Sequence, residues 1–376
     1  MHRAAGRAAE AGGWLAGAVP VPYRLPMLIL GFVSLAVGIG AGLVRLGFGF
    51  PLPSAALVGL HGPLMVSGFF GTLISLERAV ALGSRWAYGG PLFAALGAGA
   101  LIAGAPPVAG AALLGVASLF LTFASLSVFR RQRAIFTGTL LLGAVSWFVG
   151  NLLWRAGAPI AAVVPWWAGF LVLTIAGERL ELSRLLPPSR AAQRLFVAIV
   201  VLLVAAVAAS AFAPAALVVA AVTLAALTAW LARYDIARRT VKDKGLTRFI
   251  AVSLLSAYAW LGVAAAIALV SGGLFTGPAY DATLHAVFLG FVFSMVFGHA
   301  PIILPAVTQF AVRYHPLFYL HLALLHASLA LRLAGDLAGL AGWRALGGLL
   351  NAVELLVFVV NTVAGVIRAR RARAAA

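Results

Sequence analysis

Two histidines in an almost wholly apolar stretch are the residues whose types and spacing could do chemistry. His285 and His299 stand fourteen residues apart between positions 285 and 305, in a chain with only seven histidines. Fourteen steps of about 100° bring both rings to nearly the same face of a helix, about 21 Å apart along its axis. Imidazoles at this spacing could ligate metal centres, move protons or hydrogen-bond within a core.

A second apolar segment, from 54 to 76, carries His61 near the same predicted membrane face as His285. The predicted depths of the two rings differ by about 5 Å. Two neutral imidazoles on facing helices could hold one haem iron axially, and the small residues that follow His61 leave room for a flat macrocycle. The alternatives are copper ligation, a proton role, or a buried histidine bonded to a carbonyl group.

On the opposite side of the membrane, His299 has no matching histidine on the helix of His61. One interpretation is a second haem or another metal between His299 and His321. The other is an inner polar ring, which His299 would share with two Glu–Arg pairs where helices leave the membrane. The pairs in that ring are Glu77, Arg78, Glu178 and Arg179. His326, near mid-membrane, is either a hydrogen-bonded core residue or part of a proton path.

The chain as a whole is suited to hold these residues in a membrane. Its 376 residues are 63% hydrophobic and 10% charged, and long apolar runs in hydrocarbon become helices because their backbone polar groups must pair internally. The absence of cysteine excludes disulfides and thiolate-ligated metals. The sequence predicts an all-α polytopic membrane protein of about twelve spans. The spans are 26–44, 54–76, 88–105, 108–129, 135–153, 158–177, 195–212, 214–232, 249–271, 281–300, 316–333 and 344–367.

The basic residues indicate how these spans are oriented. Of 27 lysines and arginines, all but Arg45, Arg155, Arg332 and Arg344 fall in segments that are cytoplasmic if the N-terminus is inside. The positive-inside rule therefore predicts two cytoplasmic termini in a bacterial inner membrane. The net charge of +18 belongs to these loops, so the expected partner is the lipid bilayer and not nucleic acid.

The predicted domain organisation is simple. Residues 1–25 form a cytoplasmic tail, 26–367 a single membrane domain, and 368–376 a basic cytoplasmic tail. An internal repeat is indicated by the pairs Gly68–Phe69, Gly169–Phe170 and Gly290–Phe291, each with Glu or His nine residues after its glycine. The pairs lie four spans apart, which predicts three four-helix units about a pseudo-threefold axis. Gly–Phe pairs are common in membrane helices, so coincidence is the alternative.

The two histidine segments carry a family resemblance. The stretches HGPLMVSGFFGTLISLERAVAL and HAVFLGFVFSMVFG resemble the histidine helices of the NnrS family, which are twelve-span haem- and copper-binding membrane proteins linked to nitric oxide stress. Histidines in spans two and ten are also similar to those of subunit I of haem–copper oxidases and nitric oxide reductases. The resemblance implies a b-type haem on His61 and His285, copper as a further metal, and partners in the respiratory chain or nitric oxide metabolism.

The chain also departs from these families. Its tenth span has no His-x-His, its sixth and seventh predicted spans have no histidine, and the GHTGR segment of NnrS-like proteins is absent. A haem–copper reduction centre of the known design therefore cannot be built.

Three functions are compatible with these observations. The first is a haem-binding protein of nitric oxide or redox stress, or of electron transfer. The second is a secondary transporter of a small solute, although nine acidic residues are few for ion coupling. The third is a non-catalytic assembly subunit of a respiratory complex. No P-loop or zincin motif occurs, so the sequence assigns no enzymatic activity.

Overall fold

The computed structural model describes residues 17–183, 187–273 and 276–374, which fold into helices joined by short loops. The main helices are α1 (Val21–Arg45), α2 (Ala55–Leu82), α3 (Gly89–Ile102), α4 (Pro107–Arg131), α5 (Ile135–Arg155), α6 (Ile160–Leu182), α7 (Arg190–Ala209), α8 (Ala216–Tyr234), α9 (Gly245–Val270), α10 (Pro278–Thr308), α11 (Phe318–Ala338) and α12 (Ala341–Ala374).

Helix length and composition fit a membrane protein. In the described ranges, eleven helices are long and apolar enough to cross a membrane. Helix α3 has 14 residues, fewer than the roughly 20 that a span requires. The predicted all-helical, multi-pass architecture is therefore confirmed, while the number of twelve spans stays a prediction.

The chain divides into two compact units. Within the described residues, the first unit takes the chain up to Arg133, with Ala144–Val163 and Ala306–Gln309. The second unit takes Ala134–Gly143, Val164–Pro305 and the chain from Phe310 onward. A single membrane domain over 26–367 was the prediction from the sequence.

The structure describes part of both predicted tails. Helix α1 begins at Val21, with proline in its first turn, so Arg24 of the predicted tail 1–25 lies in this helix. Arg24 is buried, and its Nε donates to the carbonyl oxygen of Val19 at 2.6 Å. Helix α12 runs to Ala374, so the predicted tail 368–376 is helical as far as it is described. Residues 1–16, 184–186, 274–275 and 375–376 lie outside the described residues.

Helices α2 and α10 each contain a π-helical segment, Leu64–Phe70 and Ala286–Phe293. These segments include two of the Gly–Phe pairs of the predicted repeat, Gly68–Phe69 and Gly290–Phe291. The third pair, Gly169–Phe170, lies in the α-helical α6. Wider π turns are uncommon and are frequent at functional sites. The pseudo-threefold repeat stays a prediction, with a shared feature in two of its three helices.

Helices α11 and α12 of the second unit form a close antiparallel pair. A Cβ atom added at Gly347 would lie 2.5 Å from the backbone nitrogen of Arg332, and one added at Gly335 would overlap the backbone of Arg344. Only glycine permits this approach, since any side chain would push the helices apart. The two glycines thus bring Arg332 and Arg344 to the same end of the pair.

Candidate functional site

Five titratable side chains meet at the N-terminal end of α10, and we call them the Asp281 cluster. They are Asp281, His285, Arg332, Asp336 and Arg344. Nη2 of Arg332 donates to Oδ2 of Asp281 at 2.9 Å, and Nη2 of Arg344 approaches the same oxygen at 3.5 Å. Nε of Arg344 is 2.8 Å from Oδ1 of the fully buried Asp336, an ion-pair contact whose angle lies outside hydrogen-bond geometry. The cluster therefore joins α10, α11 and α12 by charge.

His285, a predicted haem ligand, lies one turn after Asp281 within this cluster. Its Nδ1 is 2.8 Å from the backbone carbonyl oxygen of Asp281 and 3.5 Å from Oδ1 of the same residue. Because a carbonyl oxygen can only accept, Nδ1 carries the proton and Nε2 the lone pair. This tautomer is the one that histidine ligands adopt when Nε2 binds a metal.

Three buried side chains and one half-buried histidine meet towards the C-terminal end of α10, and we call them the Asp235 cluster. They are Arg179, Asp235, Tyr258 and His299. Nε and Nη2 of Arg179 donate to the two oxygens of Asp235 at 2.7 and 3.0 Å. The hydroxyl of Tyr258 donates to Oδ2 of Asp235 at 2.6 Å, and Nη1 of Arg179 lies 3.4 Å from Nε2 of His299. The cluster therefore joins α6, α9 and α10 to the end of α8.

Asp235 follows the last residue of α8 and begins the loop to α9. Burial by itself disfavours the charged carboxylate, but hydrogen bonds from Arg179 and Tyr258 and from the backbone N–H of Ala237 lower the pKa of Asp235 below its ordinary value of 3.8. A carboxylate with a bidentate guanidinium partner is among the stronger ionic contacts in proteins. Asp235 is therefore ionised at neutral pH.

Two residues of the predicted inner polar ring, Arg179 and His299, come together in the structure. Nδ1 of His299 donates to the carbonyl oxygen of Met295 at 2.7 Å, so Nε2 faces the guanidinium group with its lone pair. A metal cation is not favoured at this nitrogen, because the positive charge of Arg179 would repel it. The partners that the sequence analysis missed are Asp235 and Tyr258.

The other members of the predicted ring are half-buried. Glu77 and Arg78 lie in the last two turns of α2, in the first unit, where their charges interact. Glu178 precedes Arg179 on α6, in the second unit.

His61 lies in the first unit, at the start of the α-helical part of α2. Its Nδ1 is 2.7 Å from the carbonyl oxygen of Gly38, and its ring lies against Gly42, where an added Cβ would be 3.0 Å from Cε1. His61 thus has the same tautomer as His285. A haem shared by the two histidines stays a prediction. In the ranges that the structure describes, no group of three or more His, Cys, Asp or Glu side chains is placed to hold a metal ion.

Between the two clusters of the second unit lie four buried polar side chains with unpaired atoms, which we call the polar stripe. They are Ser294, His321, Asn351 and Glu354. Among the described residues, no hydrogen-bond partner exists for Ser294 Oγ, His321 Nε2, the amide nitrogen and oxygen of Asn351, or either carboxylate oxygen of Glu354. Buried polar groups are normally paired, so a row of unpaired ones requires an explanation.

Contacts between aromatic rings show where the residues of the polar stripe lie along the axes of their helices. Phe358 of α12 stacks on Phe297 of α10 with ring centroids 4.5 Å apart, and lies 5.4 Å from the ring of His321 on α11. Helices α10 and α12 run in the same direction, because α11 is antiparallel to both. Ser294 precedes Phe297 by three residues and Glu354 precedes Phe358 by four, so Ser294 and Glu354 lie at nearly the same level.

The histidines of α11 have neutral surroundings. Nδ1 of His321 is 3.2 Å from Nδ2 of Asn361, and its ring lies 4.8 Å from that of Phe297. This predicted metal ligand is therefore held by an amide and by aromatic rings. His326, predicted for a proton path, accepts a hydrogen bond from Nε1 of Trp260 at 2.9 Å, and its buried Nε2 is unpaired among the described residues.

A cavity of about 140 Å³ lies beside the N-terminal half of α10, within the second unit. Side chains of α6 to α10 line it, and nearly all are apolar; Ser271, Tyr280 and Thr283 are exceptions. An apolar cavity of about 150 Å³ in another protein is large enough to hold benzene. The cavity therefore has room for a small apolar molecule.

The family comparison covers nearly the whole membrane region. A family described as a domain of unknown function, DUF8744, matches residues 24–367. The chain belongs to the DUF8744 family. No curated protein matches it. Both clusters and the polar stripe fall inside the DUF8744 domain, whereas the last turns of α12 lie beyond it.

One candidate functional residue of this DUF8744 chain could have been found from its sequence. Glu354 is a carboxylate in the middle of the predicted span 344–367, and an ionisable residue at mid-membrane is a functional candidate by default. The ion pairs could not be found in this way, because their partners are far apart in the sequence. Arg179 and Asp235 are separated by 56 residues, and Asp281 and Arg332 by 51 residues.

Proposed function

We propose that the chain is a secondary transporter of a small solute, in which the two ends of the second unit open alternately. The observation that carries the proposal is that α10 has a charged cluster at each end, with His285 in one and His299 in the other. Between them α10 departs from regular α-helical geometry at the π segment Ala286–Phe293, and beyond His299 the helix contains Pro301 and Pro305. Interrupted helices near the membrane centre are typical of transporter substrate sites.

The two clusters suit the role of gates because their ion pairs join different helices. The Arg179–Asp235 pair is almost wholly buried, whereas 41% of the Arg344 side chain is exposed. Separating a buried pair requires water to enter, so a cluster stays closed until its end is hydrated. This difference supports a state in which the Asp235 end is closed. The neighbouring apolar cavity supports a small, largely apolar solute.

The proposal is tested by cysteine accessibility, for which the natural chain is well suited since it has no cysteine. Ala282, fully buried next to Asp281, and Ala300, 6% exposed next to His299, are changed singly to cysteine. The labelling rate of each is measured with a small water-soluble thiol reagent. Asp281→Asn should raise labelling at position 282 and lower it at 300, and Asp235→Asn should do the reverse.

The reciprocal change distinguishes gating from local loosening. A variant that merely loosens its own end would raise one rate and leave the other unchanged, and that result would refute alternating access. Asp243→Asn, in an exposed loop, is the matched control and should leave both rates unchanged. Tyr258→Phe, which removes one hydrogen bond from Asp235, is the milder variant if Asp235→Asn does not fold.

A second candidate function, haem binding, is favoured by the hydrogen bonds of His61 and His285. Each imidazole donates Nδ1 to a backbone carbonyl group, which gives Nε2 the lone pair that an axial ligand needs. A bound haem would supply one-electron chemistry, and these two residues would hold its iron. An absorption spectrum of the purified protein tests this candidate.

We also retain twelve spans with both termini in the cytoplasm. Arg332 and Arg344 had counted against this orientation as basic residues of outer loops. The structure places both within helices, where they pair with Asp281 and Asp336. Their charges are neutralised there, which supports the positive-inside assignment.

A further inference from the structure

We propose that Glu354 is the proton-binding site of the second unit, and that it takes up the proton to which transport is coupled. The coupling rests on the proposed transport function, whereas proton binding at Glu354 stands on its own surroundings. Nothing in the family description assigns this residue a role, and the sequence indicated His326 instead, either as a proton-path residue or as a hydrogen-bonded core residue.

The burial of Glu354 favours a neutral carboxyl group. The residue is 0% exposed, and neither carboxylate oxygen has a hydrogen-bond partner among the described residues. An unpaired carboxylate ion in a dry interior is far costlier than a neutral carboxyl group, because the ion loses its hydration without replacement. The structure therefore fits the protonated form of Glu354, in which one oxygen bears hydrogen.

The surroundings of Glu354 favour a proton over a metal cation. Hard cations such as Mg²⁺ and Ca²⁺ take about six to eight oxygen ligands. At the level of Glu354 the polar stripe offers only the carboxylate, the hydroxyl of Ser294 and the amide oxygen of Asn351. A proton needs a single oxygen, so the site suits a proton better than a metal ion.

A row of polar groups leads away from Glu354 in both directions along the helix axis. Asn351 lies one turn away on the same face of α12, towards the Asp281 cluster. His321 lies about 6 Å away along the axis in the other direction, at the level of Phe358. Glu354 is thus placed between the two proposed gates, and polar groups lead from it towards each.

The charged and titratable groups that face this site from the packed helices lie further off. On α11 they are His321, Arg332 about two turns away and Asp336 one turn further on. His326 of α11 lies near the level of Glu354 but bonds to Trp260 of α9. On α12 they are Arg344 and Arg368, about 15 and 21 Å away along the axis. Helix α10 contributes the neutral Ser294 at this level, with His285 and His299 towards its ends. When one end hydrates, the carboxylate takes a proton from hydronium and leaves water. When the other end hydrates, the carboxyl group returns that proton to water as hydronium.

The test is infrared difference spectroscopy of the full chain in lipid vesicles, with the C=O stretch of a protonated carboxyl group as readout. Wild-type protein should show this band at neutral pH and lose it on strong alkalinisation. Glu354→Gln should lack the band, and Glu354→Asp should keep it at a shifted frequency. Asp243→Asn is the matched control and should leave the band unchanged. Glu354→Asp serves alone if Glu354→Gln does not fold, since an unshifted band would refute the assignment.

Three further results would overturn the proposal. They are the absence of the band from wild-type protein, its persistence in Glu354→Gln, and its removal by sodium chloride at constant pH, which would identify a bound cation. The test is independent of transport. If the band behaves as expected but cysteine labelling is not reciprocal, transport fails and proton binding stands. If labelling is reciprocal but the band is absent, only the proton site fails.

Discussion

Replacing Asp235 by asparagine should strongly destabilise the second unit. Its carboxylate accepts two hydrogen bonds from Arg179, one from Tyr258 and one from the backbone of Ala237. Asparagine keeps the shape but loses the charge, and its amide N–H₂ group would face donors. Removing one partner of a buried ion pair costs about 3–5 kcal/mol, because the other charge stays buried without compensation. We expect Asp235→Asn to lower the free energy of unfolding by this amount.

The assay is denaturant unfolding of the detergent-solubilised protein, followed by fluorescence of its nine tryptophans. Asp243→Asn removes the same charge from an exposed position of the same loop and should change the free energy of unfolding by less than about 0.5 kcal/mol. A loss below about 1 kcal/mol for Asp235→Asn would show that Arg179 finds other compensation, and would refute the reasoning.

The same pair predicts a pH dependence. The folded pKa of Asp235 is lower than its unfolded value, so its contribution is complete above the ordinary pKa of 3.8 and is lost as the pH falls through the folded pKa. The difference in unfolding free energy between wild type and Asp235→Asn should therefore shrink on acidification below pH 3.8. A difference that stays constant or grows there would contradict the ionised pair.

Three other predictions concern packing, cofactor and orientation. Gly290→Ala should lower the free energy of unfolding by about 1–3 kcal/mol, because the new Cβ would lie 2.5 Å from the ring of Trp260. The control Gly115→Ala meets no atom within 4 Å and should leave the free energy of unfolding unchanged or raise it. If haem binds, the purified protein should show a Soret band, and either His61→Ala or His285→Ala should abolish it. The control His315→Ala, in a loop, should leave the band unchanged. A colourless preparation from haem-replete cells would contradict haem binding. A reporter fused to the C-terminus that is active only in the cytoplasm should be active, and an inactive but well-expressed fusion would reverse the orientation.

The positions of the helices could be predicted from sequence because hydrocarbon imposes one solution on an apolar run of sufficient length. Each segment drawn from hydropathy overlaps one of the helices α1 to α12. The ends were less predictable, since Arg24, Arg332 and Arg344 looked like loop charges. Each is within a helix because a partner, such as Asp281 for Arg332, satisfies its charge there.

The candidate site could be predicted only in part. Sequence spacing placed His285 and His299 on one helix, and the structure agrees, but their partners depend on how helices pack against one another. The π segment of α10 could not be predicted either, because the residue types at 286–293 are those of a regular apolar helix. Glu354 could have been identified from its position in the middle of a predicted span, but only the small number of carboxylates in the chain was considered.

Distances between paired spin labels at the two ends of the second unit test alternating access most directly. One pair, at Ala279 and Leu340, reports on the Asp281 end, and the other, at Arg238 and Leu317, on the Asp235 end. Alternation predicts two distances for each pair, with Asp235→Asn favouring the longer distance at its own end and the shorter one at the Asp281 end. A single distance at both ends that Asp235→Asn leaves unchanged would contradict the account.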